Sequence, residues 1–434
     1  MPQSKILRVL LPAAALALAS SNCTLSAAEV PAVESAGSGQ ELAADEPSQP
    51  MLGGFGDQTA WAEPATIEAE TAALRQFHQE LYAELSSASG DVVFSALSVS
   101  AALRLALEGA RGDTRDELAN LLNVPLGSAC GGFGELMTEI RDGAVEGTQL
   151  RIANRIWSAA SLEASLNPAY AESADTCFNA DVGWADFRDQ PDAERARING
   201  WVAEQTMQMI PELLPLGSVN SLTRVVLTNA IYFKADWRNT FDVAATTDLP
   251  FHRANGDSST VPTMHRTGDM SYSVFPGGQI LRLPYADGVH QLVLILPAEA
   301  QADQLDAYIG DPAVWSADGR SQRVALALPR FTARYQTSLL RALAALGMQI
   351  SVTQQADFSG IVPTGGLQIS DVIHEAVIVV DEEGSEAAAA TAVMMRGRSV
   401  SPPPTPVVFD RPFGFVLERI DGHVPLFAGR YTGE

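Results

Sequence analysis

The residues of this chain that could do chemistry are a few serines, histidines and arginines. Ser95 and Ser98 with His374 have the side-chain types of a hydrolase triad, but neither serine lies in a Gly-x-Ser-x-Gly turn. The six histidines form no His-x-x-x-His pair, and the sequence has no phosphate-loop motif or paired-cysteine spacing. We therefore expect no catalytic residues, no metal and no organic cofactor, and a secreted hydrolase is kept only as an alternative.

A stretch near the C-terminus combines a strand with a run of small residues. Val377 to Val380 is a β-branched run, and Gly384 follows it as a hinge. At strand periodicity the residues at even steps after Ser385 are uncharged, whereas Glu386 and Arg396 fall on the opposite face. Alanine also favours a surface helix or a low-complexity linker, so this stretch alone leaves both interpretations open.

Composition indicates an acidic globular protein. Of the 434 residues, 46% are hydrophobic, which is enough for a sizeable core. Basic residues number 28 against 52 acidic ones, a formal net charge of −24, and the only lysines are Lys5 and Lys234. No basic stripe could neutralise phosphates, so we expect no nucleic acid, no anionic membrane and no heparin as partner.

The N-terminus has the features of a secretory signal. Two basic residues precede an apolar run too short to span a bilayer, and Ser26-Ala27-Ala28 offers small residues for cleavage. We predict a signal peptide at residues 1–28 and a flexible acidic linker at residues 29–66. The expected location is extracellular or periplasmic. A lipid anchor at Cys23 is the less favoured alternative, because the residues before it match the lipoprotein signal poorly.

Two cysteines, Cys130 and Cys177, remain after signal cleavage. An oxidising compartment permits a disulfide between them, but their spacing does not imply one. Two buried free thiols are the slightly favoured prediction.

Helical and strand patterns are intermixed over residues 67–434. Apolar residues at helical spacing from Ile67 predict a first amphipathic helix that ends near Ser86 to Gly90. Runs such as Val225 to Trp237 and Val324 to Phe331 predict strands, and the hairpin signals are mainly antiparallel. These patterns predict a single α+β domain.

Together these segments resemble the serpin family from about Ile67 to Tyr431. The most specific parts are the strand at Val225 to Trp237 and a hinge made of Glu383, Gly384, Ser385, Glu386, Ala387, Ala388, Ala389, Ala390 and Thr391. The resemblance implies the serpin fold: one domain with a large, mainly antiparallel sheet, two smaller sheets, about eight to nine helices and an exposed reactive loop at residues 384–406. The chain departs from the family in having Ala96 where proline is usual, and a proline tract about three residues longer than usual after the loop.

The resemblance also implies roles for single residues. Ser95, Ser98, Asn229 and His374 match a polar cluster beneath the centre of the main sheet. Buried polar groups must be hydrogen-bonded, and a network with exchangeable partners lets two strands separate and close again. Trp237 matches the aromatic residue at the upper end of that opening. These roles are conformational, not catalytic.

A serpin inhibits as a suicide substrate, since the attacked loop inserts into the sheet and carries the acylated protease with it. Family spacing places the reactive bond between Arg398 and Ser399, with Arg396-Gly397 as the second choice. Arginine suits the pocket of a trypsin-like protease, where a buried carboxylate can form a bidentate pair. We expect a monomer that acts on an Arg-specific serine protease. A papain-like cysteine protease as the target and a non-inhibitory binding or chaperone module are the alternatives.

Overall fold

The computed structural model describes residues 66–124, 130–142, 147–180, 182–385 and 402–434. All of them fall in one unit, Thr59–Glu434. The helices in this part of the chain are α1 (Ile67–Leu85), α2 (Ala96–Gly109), α3 (Gly112–Leu121), α4 (Gly131–Asp142), α5 (Pro168–Phe178), α6 (Pro191–Gln205), α7 (Leu305–Gly310), α8 (Pro312–Trp315) and α9 (Leu340–Ala345). Their number agrees with the prediction, and none of these described helices has the length and apolar character needed to cross a bilayer.

Fifteen strands accompany these helices in the described residues. They are β1 (Val92–Phe94), β2 (Gln149–Ala159), β3 (Val182–Ala185), β4 (Val225–Asp236), β5 (Thr247–His252), β6 (Ser258–Phe275), β7 (Gly278–Pro284), β8 (His290–Pro297), β9 (Arg320–Pro329), β10 (Phe331–Ser338), β11 (Ile369–Val380), β12 (Gly384–Ser385), β13 (Thr405–Val408), β14 (Phe413–Arg419) and β15 (Val424–Tyr431). The α+β class predicted from the sequence is confirmed.

Helix α1 shows how local sequence sets an element. Thr66 caps it by accepting a hydrogen bond from the Ala69 N–H, and two glutamates lie in the first turn, where the helix dipole favours negative charge. Leu74, Phe77 and Leu81 recur at helical spacing and are fully buried. The helix therefore lies with one apolar face on the core, as its periodicity predicts.

One sheet has nine strands in the order β1-β15-β14-β8-β7-β6-β9-β13, with β5 also paired to β6. It is antiparallel except for the β9–β13 pair. The prediction of two smaller sheets needs correction, because these strands hydrogen-bond into one sheet. The reason is the 18-residue strand β6. It pairs with β5, β7 and β9, so strands that were expected to form two separate sheets belong to one.

The second sheet has six strands in the order β10-β11-β4-β2-β3, with β12 paired to β4. It is mixed, since β11 runs parallel to β4 and β3 parallel to β2. Strand β4 is buried along most of its length because both sheet faces are covered. The large core that contains α1 and α2 lies on one face, and a smaller core with α6 lies on the other.

Cys130 and Cys177 form a disulfide, so the prediction of free thiols is wrong. The bond joins the residue before α4 to the last turn of α5, where the two Cα atoms lie 5.3 Å apart. Both side chains are half-buried. Spacing along the chain could not reveal this, because the contact depends on how two helices separated by β2 pack together.

Candidate functional site

The six-stranded sheet is open at one end between its two central strands. β4 and β11 pair from Val225 and Ile369 as far as Ile231 and Ala376. Beyond that point β11 continues to pair with β10 on its other side, up to Val380, but no pairing to β4 continues among the described residues. This opening, towards the Asp236 end of β4, is here called the gap, and the Asp236 end is called its upper end.

The two-residue strand β12 occupies the upper end of the gap. Gly384 pairs with Asp236 and Ser385 with Ala235, both antiparallel. Gly384 approaches β4 so closely that a Cβ atom there would lie 2.1 Å from the carbonyl oxygen of Ala235. Only glycine fits this approach. The hinge predicted from the sequence is therefore docked as the first two residues of an additional strand.

Two aromatic rings hold this hinge. The indole of Trp237 stacks on the ring of Tyr285, with centroids 4.5 Å apart, and its Nε1–H donates to the Asp381 carbonyl at 2.8 Å. The Tyr285 hydroxyl bonds the Ser385 hydroxyl at 2.7 Å, and both side chains are buried. Tyr285 was missed by sequence reasoning, because its role depends on a bridge between distant strands.

A polar turn leads into the hinge. The Asp381 carboxylate accepts hydrogen bonds from the backbone N–H groups of Glu383 and Gly384. Glu382 is buried and bonded to Arg330 at 2.7 Å and to Thr246 at 2.6 Å. Burial alone would raise the pKa of Glu382, but these hydrogen bonds outweigh it and the pKa lies below its usual value. Glu382 is therefore a charged anchor at the base of the loop.

The polar residues singled out in the sequence meet below the gap. His374 and Asn229 lie side by side in the β11–β4 register, and Asn229 Oδ1 bonds His374 Nδ1. The Asn229 amide donates to the Ser98 hydroxyl at 2.6 Å. The Ser95 backbone N–H donates to His374 Nε2 at 3.3 Å, and the Ser95 hydroxyl caps α2 through the Ser98 N–H. The cluster thus joins two strands to the start of α2.

These bonds fix the charge state of His374. Because Nε2 accepts from Ser95, the proton lies on Nδ1 and is donated to Asn229, which makes the ring neutral. Burial lowers the pKa of His374 to about 3. Neither serine hydroxyl is bonded to the ring, so Ser95, Ser98 and His374 do not form the serine–histidine pair that a hydrolase uses. The arrangement does not support the hydrolase alternative.

Asn154 completes the cluster and was missed by sequence reasoning. It lies opposite Asn229 in β2, accepts from its amide at 2.6 Å and donates to the Ser98 carbonyl at 3.0 Å. A signal was present, because Asn154 stands between Ile152 and Ile156 on the same face of a strand. A lone polar residue on the buried face of a strand needs a buried partner.

Part of the predicted site lies outside the described residues. This applies to the hinge from Glu386 to Thr391 and to both candidate reactive bonds, Arg398-Ser399 and Arg396-Gly397. The described structure therefore contains the docked start of the loop and the gap beside it. It also contains the point where the chain returns to the nine-stranded sheet, at Pro402 and β13.

Comparison with known proteins agrees with this architecture. The family described as Serpin (serine protease inhibitor) matches residues 72–433. The chain is 32% identical over 384 residues to a leukocyte elastase inhibitor of Xenopus tropicalis, covering 84% of this chain and 100% of that protein. It is 30% identical over 370 residues to antithrombin-III of Mus musculus, covering 82% and 78% respectively.

Solved structures extend the comparison to the fold. Serpin48 of the insect Tenebrio molitor aligns with a TM-score of 0.77 at 29% identity, covering 88% of this chain and 100% of that one. Human thyroxine-binding globulin aligns with the same TM-score at 25% identity, covering 84% of this chain and 98% of that one. The family match spans most of the sequence, and the open sheet with its docked hinge fits it: this chain belongs to the serpin family.

Proposed function

We propose that this protein inhibits an Arg-specific, trypsin-like serine protease as a suicide substrate, with Arg398-Ser399 as its reactive bond. The observation that supports this most is the pairing of Gly384 and Ser385 with β4 at the upper end of the gap. A strand has begun to form there, and among the described residues β4 and β11 do not pair with each other beyond Ile231 and Ala376. Cutting the loop would release the rest of that strand to pair.

The free energy available from such pairing is sufficient for inhibition. A dozen new ladder hydrogen bonds at roughly 0.5 to 1.5 kcal/mol each would contribute on the order of 10 kcal/mol. The fourteen steps from Gly384 to Arg398 span roughly 46 Å in a strand, so an attached protease would be carried along most of the sheet. A displacement of about 1 Å can slow a catalytic site about a hundredfold. The acyl-enzyme would then persist because deacylation fails.

We also propose that the protein is exported and acts as a monomer. The Cys130–Cys177 disulfide supports an oxidising compartment, because such bonds are rare where thiol reductants dominate. Export agrees with the signal peptide predicted at residues 1–28.

Incubation with trypsin tests the proposal. We expect a complex that survives denaturing electrophoresis. We also expect a released C-terminal peptide whose mass shows that it begins at Ser399. Clean cleavage without a complex would instead indicate a non-inhibitory binding module. A complex with papain but none with trypsin would move the target to the cysteine proteases.

Two variants locate the reactive bond. Arg398→Glu should abolish the complex with trypsin, because its carboxylate would face the buried carboxylate of the protease pocket. Arg396→Glu is the matched control and should still form the complex. If the two variants show the opposite result, the reactive bond is Arg396-Gly397.

A further inference from the structure

The first four residues of β9 form an exposed polar strip, Arg320-Ser321-Gln322-Arg323. All four are exposed, whereas the rest of the strand is mostly buried. β13 runs parallel to β9 and pairs with it only from Thr405 and Val324 onward. The strip therefore extends beyond the start of β13, alongside the chain as it returns from the reactive loop, and Gln322 donates to the Thr405 hydroxyl there.

The two arginines of this strip have no ion-pair partner among the residues that the structure describes. In the described part of the chain neither Arg320 nor Arg323 forms an ion pair, a side-chain hydrogen bond or a ring contact. Arg323 lies opposite Asp269 in β6 and Arg320 lies opposite Tyr272, yet Asp269 is not within ion-pair distance. Arg330, near the base of the loop, is by contrast bonded to Glu382. Residues three apart in a strand point to opposite faces, so the two guanidinium groups flank the edge of β9 that β13 leaves open, one on each side of the sheet.

The strip is close enough to the proposed reactive bond to lie beneath any protease that attacks the loop. Ser399 and Thr405 are six residues apart, which limits their separation to roughly 20 Å. A trypsin-sized domain is about 45 Å across by the scaling of compact chains. A protease bound at Arg398-Ser399 must therefore extend over the return of the loop to the sheet, on the side that follows the reactive bond.

We propose that Arg320 and Arg323 form a docking strip for an acidic patch beside the active-site cleft of the target protease. Guanidinium groups bind carboxylates with bidentate geometry, and charges at the rim of an interface act chiefly on the rate of association. The strip would select among proteases that share the same arginine pocket. This inference rests on the proposed function and adds a property of the partner to it.

The test compares two trypsins with one specificity, an anionic and a cationic isoform, against Arg320→Glu/Arg323→Glu. With the anionic isoform we expect the association rate constant of this variant to fall roughly five- to tenfold at low salt, and the difference to shrink as salt rises. With the cationic isoform the rate should not fall. Arg320→Gln/Arg323→Gln should lie between wild type and the reversed variant.

Arg188→Glu is the matched control. The Arg188 side chain is 86% exposed and follows β3 at the end of the sheet opposite the hinge. It should leave both rates unchanged. The docking-strip proposal would be overturned if the reversed variant and this control had equal association rates. It would also be overturned if the rate fell equally with both trypsins. Acceleration by added heparin that the reversed variant loses would assign the strip to a polyanion and also overturn it.

The two proposals fail in different ways. If wild-type protein forms no complex with either trypsin, the proposed function is wrong, and the docking strip is wrong with it. If the complexes form and the same bond is cut in every variant but the rates do not separate by protease charge, only the docking strip is wrong.

Discussion

His374 and His78 are buried, neutral histidines, and at the scale of single residues they make stability depend on pH. Burial lowers the pKa of His374 to about 3 and that of His78 to about 4, from 6.5. In the unfolded chain both take up a proton below about pH 6.5, whereas in the folded chain they do not. Their contribution to stability is therefore complete above that pH and is lost as pH falls.

Between pH 7.5 and 5 each histidine should cost about 2 kcal/mol of unfolding free energy by this linkage. The urea midpoint measured across this range should fall for wild type and fall less for His374→Gln. His78→Gln is the matched control, since His78 lies in the core away from the gap and should remove a similar share of the dependence. An unaltered pH profile in both variants would contradict the neutral assignment.

Gly384 decides whether the hinge can dock. Ala at this position would bring a Cβ atom to 2.1 Å from the Ala235 oxygen, so β12 could not pair with β4. If insertion starts from this pairing, Gly384→Ala should be cleaved at the normal rate but should need severalfold more inhibitor per protease trapped. Titration against trypsin measures this ratio. Ser385→Ala removes only the bond to Tyr285 and should have a smaller effect.

At the scale of elements, β12 sets the register that a longer inserted strand would follow. Ser385 pairs with Ala235, so one further residue would place Glu386 opposite Lys234, and six would place Thr391 opposite Asn229. Thr391 would then share the inward face of Ser385, next to the polar cluster. Glu386 would share the outward face of Lys234, which agrees with the alternation predicted from the sequence.

This register predicts that exchanging the charges of Glu386 and Lys234 preserves the stability of the inserted form. Glu386→Lys or Lys234→Glu alone would put like charges opposite each other after insertion, at a cost of about 0.2 to 1 kcal/mol. The guanidinium midpoint of the loop-cleaved protein should fall in each single variant and recover in the double variant. The uncleaved proteins serve as controls and should differ little. Losses that simply add in the double variant would show a different register.

Sequence patterns predicted individual helices and strands better than they predicted how these pair and pack. Alternation and periodicity were sufficient for α1 and for the strand containing Asn229, because local residues determine which face is buried. The parallel pairing of β4 with β11 was not predictable, since a long connection separates them and no turn fixes their direction. The Cys130–Cys177 bond and the contact of Tyr285 with the hinge depend likewise on distant packing.

At the scale of the whole molecule, the gap predicts that the native state stores free energy. Cleavage by trypsin after Arg398 should raise the melting temperature by about 10 °C or more, given a gain on the order of 10 kcal/mol. Differential scanning calorimetry of intact and cleaved protein measures the shift. Ala387→Arg is the control, because insertion would bury its charge, and its cleaved form should gain little. An equal melting temperature before and after cleavage of wild type would exclude the stored energy.

The separation of β4 from β11 beyond Ile231 and Ala376, seen in the described residues, has a further consequence for self-association. An open backbone edge accepts any extended segment of small residues, including one from a second copy. The molecule's own hinge competes at an effective concentration in the millimolar range because it is tethered at the mouth of the opening. The protein would then stay monomeric only in dilute, cool solution. Concentrated or heated samples should form linear polymers.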